Sequence, residues 1–537
     1  MKKWFGLFVL ILAVVLLLPS CAQPSPTTTT APAVKSTSPP APATPSATTP
    51  QYGGILKIII PTGITILGAP SEVGTGGLYS LVGAPAIETL LRHDNSFRQK
   101  PRLAESYEIG PDGKSFTFHL RKGVKFHDGT DCNAAAVKYN LENYTPSGTR
   151  PNYFKVVTSY DTIDDYTIRL NLSAFSLDLW IQFAYGDGMI CSPTALKTST
   201  APERMAKDHM VGTGAFRYVS HQRDVNAIFE KVNSYWQKGK PYVDGIQFQQ
   251  IADPVTAVIA LKSGDGQLLY LITAQQARDL EAAGYEIVRE NLSPIGYITP
   301  DGANSDSPFS NKKVREAAEY AIDKKALAQG VGLGYYPVAT QFAMLGYDNY
   351  SPELTPRNYD PKKAKQLLAE AGYTNGFKTT IYAPTSYNRD VLVVLQTYLK
   401  EVGIDATLDI TDSTRLSSLQ HTGWHGILVN SVPVNSALAS KISMFFNADL
   451  TAYGNTMASV FRPPGWQDKL NAALTQYDEN KRTAQTRELC KIMSEEVMGI
   501  PLWVAPQLSA QDKKLHNIKW AQGHGYFWEP ENAWLSK

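Results

Sequence analysis

The 537 residues carry 51 Lys and Arg against 49 Asp and Glu, with 43% hydrophobic and 10% aromatic side chains. A chain this long and apolar buries real cores, enough for about two to four structural units of roughly 100–200 residues. A net charge of +2 supplies no basic field of the kind that neutralises a phosphate backbone, which argues against a nucleic-acid partner, and four Cys are too few for a fold held together by disulfides.

Met1-Lys2-Lys3 opens the chain with positive charge, and Trp4 to Leu18 is apolar throughout apart from Gly6. That is the length of a signal-peptide core and short of the ~20 residues a spanning helix needs. The tetrapeptide Leu18-Pro19-Ser20-Cys21 then resembles a bacterial lipobox, with Pro19 departing from the small residue usual at its place. The resemblance implies a signal peptide over residues 1–20 and a lipid attached to Cys21, anchoring an extracytoplasmic body to the cell membrane. An uncleaved anchor or a soluble secreted protein are the alternatives, and both still place the body outside the cytoplasm. From Ala22 to Pro50 the chain is almost only Pro, Thr, Ser and Ala, too poor in large side chains to form a core. It reads as a disordered tether over 21–50, extended at ~3.1 Å per residue. With Cys21 assigned to lipid, Cys132, Cys191 and Cys490 remain. An odd number leaves either one bridge, Cys132 to Cys191, or three buried free thiols.

The globular body starts at about residue 51. Ile55-Leu56-Lys57-Ile58-Ile59-Ile60, opened by two glycines and closed by Pro61, predicts a buried strand. Ser115 to Leu120 alternates polar and apolar after the turn Pro111-Asp112-Gly113-Lys114, which predicts one arm of a hairpin, and Thr167 to Leu172 alternates in the same way. Apolar residues at spacings of three and four predict a helix over 312–328. Asp360 before Pro361 predicts an N-cap for a helix ending near Gly372, and Arg389 to Val402 predicts another helix ahead of a strand over 404–410. The mixture is α/β or α+β, without internal repeats.

Several ordered blocks together resemble the family 5 extracellular solute-binding proteins, the peptide- and nickel-binding components of ABC importers. They include Gly53 to Ile58, Glu88 to Arg92, Pro101 to Tyr107, Asp112 to Thr130, Val211 to Phe216, Asn233 to Trp236, Lys240 to Ile246 and Asn311 to Leu327. Further agreement at Tyr359 to Ala364 and Ala369 to Tyr373 carries it toward residue 505. The resemblance implies an α/β fold: a two-lobed periplasmic-binding-protein clamp of type II, with lobe I from residues 51–95, 206–298 and 506–537, an extra domain at 96–205, and lobe II at 299–505. It implies capture of a small-molecule or peptide ligand between the lobes, delivery to ABC permease and ATPase subunits, no cofactor, no catalysis and a monomer.

The same resemblance singles out ligand-facing positions. It points to Ile64 and Thr65 in the loop after the first strand, to Trp424, Asn430, Ser431 and Asn435 along one segment, and to Tyr453 from the other side. Peptide-binding members place a carboxylate in that segment against the peptide amine. Here Val434 falls near its position, and no acid lies between Asp412 and Asp449. A neutral oligosaccharide or small organic compound therefore competes with a peptide as the expected ligand, with a nickel complex as a third choice. His421 and His425, four apart, would share a face only on a helix, and two histidines alone make a poor metal site. A secreted hydrolase lacks its motifs, with no GxSxG and no HExxH. A transporter-independent sensor on the same clamp is the other rival.

Overall fold

The computed structural model describes residues 49–537 except 66, 74–77, 95–97, 145–150, 199–208, 291–292, 435–437, 452–455 and 519–527. The expected signal peptide, Cys21 and the tether, together with Asn435 and Tyr453, lie outside the described residues. Pro50–Lys537 forms one compact unit.

Its first lobe is a seven-stranded sheet of order β12 (Glu286–Glu290), β18 (Gln507–Gln511), β11 (Leu268–Ile272), β1 (Ile55–Ile60), β10 (Gly245–Gln250), β9 (Asn226–Lys231) and β8 (Phe216–Gln222). The β-branched run read from the sequence is β1, which lies parallel to both β10 and β11 with Leu56, Ile58, Ile59 and Ile60 fully buried. Covered on both faces, such a strand reads as a continuous apolar run. β18 runs antiparallel between β11 and β12, so the carboxyl ends of β1, β10, β11 and β12 and the start of β18 share one edge.

The second lobe is a five-stranded sheet of order β15 (Ile404–Thr411), β14 (Phe377–Pro384), β16 (Ile427–Val434), β13 (Ser293–Pro300) and β17 (Ile500–Val504). The chain crosses between the sheets twice, from β12 into β13 and from β17 back into β18. The helix expected over 312–328 is two, Lys312–Tyr320 and Lys324–Gly332. The Asp323 carboxylate accepts the Ala326 N–H at 2.9 Å and starts a new helix inside what reads as one periodic stretch.

Between β1 and β8 the chain forms a hairpin, β2 (Leu91–His93) with β3 (Gln99–Pro101), and a four-stranded antiparallel sheet of order β4 (Ala104–Ile109), β5 (Ser115–Leu120), β7 (Thr167–Leu172) and β6 (Val157–Asp164). The two alternating segments seen in the sequence are the paired strands β5 and β7. Phe116, Phe118, Trp180 and Phe183 form an aromatic centre, with Phe118 4.8 Å from Phe183 and Phe116 5.0 Å from Trp180. This extra domain is fastened to the first lobe around buried Glu88. That carboxylate accepts hydrogen bonds from Thr213 Oγ1 at 2.8 Å, Tyr235 OH at 2.7 Å and Trp236 Nε1 at 2.8 Å, and pairs with Arg102 at 2.8 Å. Arg102 also holds buried Glu531 at 2.7 Å. A short pair, β19 (Leu515–His516) with β20 (Trp534–Leu535), ends the fold. Cys132, Cys191 and Cys490 are buried free thiols, so the bridge between Cys132 and Cys191 is absent.

Candidate functional site

In open α/β sheets, ligands bind outside the carboxyl ends of the strands, where loops converge and backbone groups are left for a ligand. Here both sheets turn that edge toward the crossovers. In the second lobe, Ser293 at the start of β13 pairs with Val434 at the end of β16, and Ile295 pairs with Val504 at the end of β17. β14 and β15 run parallel to β16 and end on the same side.

On the first lobe the loop after β1 forms the wall. The Ile64 N–H donates to Gln250 Oε1 at the end of β10 at 3.1 Å, and the Ile64 carbonyl accepts the Asp224 N–H at 3.1 Å. Thr65 Oγ1 donates to Asp224 Oδ1 at 2.6 Å. Gly63 has φ +114, and a Cβ there would lie 2.6 Å from Leu78 Cβ, so the loop needs glycine to turn at this point. The Ile64 side chain is fully buried in the first lobe's core, leaving its backbone to shape the edge. Thr65 is half-buried with its hydroxyl already engaged.

On the second lobe, Asn430 and Ser431 are successive residues of β16 and point to opposite faces of the sheet. Asn430 faces the side of Leu428 and Val432, its Nδ2 3.9 Å from Met457 Sδ and its Oδ1 accepting the Ser431 N–H at 2.8 Å. Ser431 is exposed on the other face, level with Gly296 of β13, which is in turn level with Trp503 of β17. A Cβ on Gly296 would stand 2.7 Å from Trp503 Cε2, so the missing side chain lets the indole lie across the strand. Tyr387 stands 6.1 Å from Trp503, ring centre to ring centre, and among the described residues its buried hydroxyl has no hydrogen-bond partner. Burial pushes the Tyr387 hydroxyl well above its ordinary pKa. Sequence reading missed Gly296, Tyr387 and Trp503. A Trp within Ile-Pro-Leu-Trp-Val reads as core, and Trp503 is indeed only 5% exposed and part of the second lobe's core, while the register also brings it beside Gly296 and Ser431.

Trp424, expected to face ligand, is a core side chain, 2% exposed. It precedes the start of β16, whose first residue pairs with Pro300, the last of β13 and so the far end from the crossovers. Seven residues at ~3.3 Å each separate it from Ser431 by up to about 23 Å. Its N–H donates to Ser459 Oγ at 2.9 Å and its carbonyl accepts from Asn304 Nδ2 at 2.7 Å. Proximity in sequence to β16 is therefore not proximity to the edge.

Carboxylates here are already committed. Asp409 holds Arg415 through two bonds of 2.6 and 2.9 Å, and Asp224 takes the Thr65 hydroxyl. Asp412 caps the helix Ser413–Thr422, and the Arg415 N–H holds its carboxyl below the usual range. His421 ends that helix while His425 follows Gly423 at φ +99, 3.7 Å from buried Asp301, so the two histidines share no helical face. Among the described residues, no group of three or more His, Cys, Asp or Glu is placed to hold a metal.

Such a surface offers backbone groups, hydroxyls and aromatic rings for recognition. Residues 98–459 match the family model of bacterial extracellular solute-binding proteins, family 5 Middle. The glutathione-binding protein GsiB of Pectobacterium atrosepticum is 33% identical over 389 residues, covering 68% of this chain and 74% of that protein. GsiB of Shigella boydii is 31% identical over 438 residues, covering 79% and 84%. Among solved structures, the periplasmic binding protein DppA of Helicobacter pylori in complex with the peptide STSA superposes with a TM-score of 0.70 at 23% identity, covering 91% of this chain and 99% of that one. HbpA2 of Haemophilus parasuis gives 0.78 at 21%, covering 90% and 100%. At these identities the likeness to the two structures shows the two-lobed fold.

Proposed function

The chain belongs to the family 5 bacterial extracellular solute-binding proteins, and from that premise we propose that it captures a peptide-sized solute between its lobes and hands it to an ABC permease. The observation that carries this reading is the shared edge. Two walls, one at Ile64 and Thr65 and one at Ser431, Trp503 and Tyr387, sit on separate sheets joined by two crossovers, so an occupant bridging them draws the sheets together. Lipid at Cys21 would keep the receptor at the membrane outside the cytoplasm, working as a monomer. Among the described residues no helix is long and apolar enough to cross a membrane.

Glutathione, the solute in the names of the curated relatives, is the first candidate. A neutral compound is the second reading, favoured by the stretch 413–448, which holds no acid, and by the pairing of Asp409 with Arg415. A buried charge without a partner is costly, so the two readings separate sharply. The test is a thermal-shift series on ligand-stripped protein with glutathione, di- to pentapeptides and uncharged oligosaccharides. A ligand at 100 times its Kd adds about 2.7 kcal/mol of stability. Stabilisation by glutathione or free peptides supports the first reading, stabilisation by uncharged compounds alone supports the second, and no response to any of them sinks both.

A further inference from the structure

The extra domain is fastened to the first lobe through Glu88, Arg102 and Glu531, yet its opposite side packs on the second lobe. One apolar core runs unbroken from Phe116 and Trp180 of the extra domain to Phe446 and Trp466 of the second lobe, whereas the remaining cores of the two lobes are separate clusters. Polar contacts rim this junction. Arg98, between β2 and β3, pairs with Asp348 and reaches Glu479 at 3.9 Å. Tyr477 OH donates to the Pro111 carbonyl at 2.7 Å, Ser440 Oγ donates to Asp178, and the Arg482 guanidinium stands 5.8 Å from the Phe175 ring.

The rim of this junction is open to solvent. Arg98, Asp348 and Glu479 are each more than two-fifths exposed, so water and salt reach the pairs. Behind them Gln99 Oε1 and Asn349 Oδ1, both buried and, among the described residues, without hydrogen-bond partners, border a cavity of about 40 Å³, a local gap in otherwise close packing. None of these groups belongs to the edge where Ile64, Ser431 and Trp503 stand.

We propose that the extra domain is a second closing surface, which holds the lobes together before any solute arrives and so sets part of the solute affinity at Arg98, Ser440 and Tyr477, side chains that belong to neither wall. Because it is fixed to the first lobe, the second lobe seats on both when it closes. A receptor already partly closed loses less of its binding free energy to closure, and affinity scales with the competent fraction. The proposal rests on the lobes being hinged and not on which solute they hold.

The test reads the ligand-free full chain. Labels at exposed Lys262 on the first lobe and Lys400 on the second report the distribution of interlobe distances in the wild type, in Arg98→Ala and in the triple variant Arg98→Ala, Ser440→Ala, Tyr477→Phe. The expected result is a short-distance population that shrinks about threefold or more in the triple variant and falls in the wild type as salt rises from low to about 0.5 M, with a weaker salt response in both variants. Identical distributions in all three proteins, or a wild-type distribution indifferent to salt, would overturn it. Should the triple variant not fold, Arg98→Ala, which removes a half-exposed side chain, decides the question alone.

Discussion

At the scale of single residues, the groups that matter most are those whose burial conflicts with their charge. Asp187 is 5% exposed within the extra domain and accepts hydrogen bonds from the Tyr153 and Tyr144 hydroxyls. Burial dominates and raises its carboxyl to about 6, the two hydroxyls pulling the other way without winning. From the ordinary 3.8 that is about 3 kcal/mol in favour of the protonated form. Between pH ~4 and ~6 the folded state binds the proton more tightly than the unfolded chain does, so this group makes stability fall as pH rises through that window and level off above it. Asp187→Asn is neutral throughout and keeps an oxygen to accept a tyrosine hydroxyl. Urea denaturation across pH should find it close to wild type at pH 4 and more stable by up to about 3 kcal/mol at pH 7.5. Parallel curves would refute the assignment. None of this was legible in Tyr185-Gly186-Asp187-Gly188, which reads as a surface turn, because a residue's type does not encode what folds over it. The same blindness put Trp424 in the cleft.

Elements were more legible than residues. β1, β5, β7 and β15 announce themselves by β-branched content or alternation, and Asp360 and Gly372 bracket their helix as read. The failures have definite causes. One aspartate cap divides the stretch 312–328, and β13, Ser-Pro-Ile-Gly-Tyr-Ile-Thr-Pro, hides behind two prolines and a glycine although it lies between β16 and β17. That glycine is the sharpest test of the second-lobe wall. Gly296→Ala forces the Trp503 indole off the strand, an overpacking that costs about 1–3 kcal/mol. Thermal melts should show a lower Tm and, with the solute found by the screen, a smaller ligand-induced rise than wild type. An undiminished rise would remove Trp503 from the site.

For the whole molecule, the two-lobed plan came from family resemblance, because periodicity cannot reveal that β11 and β18 are neighbours across more than two hundred residues. Two crossovers link the described strands of the two sheets, so the closure proposed above would be a hinge motion. Small-angle scattering of the full chain should give a smaller radius of gyration at saturating solute than without it, and an unchanged radius would contradict the clamp. The position of β18 has a further consequence, for biogenesis. It is wedged between β11 and β12, strands that do not pair with each other. During synthesis the second lobe has its full set of strands once residue 504 has been made, while the first lobe still lacks the strand that joins its two parts. Until those last residues emerge, β11 and β12 present open edges to their surroundings, a template for pairing with other chains. The first lobe is therefore most open to aggregation and proteolysis while residues 507–511 are still to be made, and removing that strand would strip β12 of its pairing and β11 of one of its two neighbours.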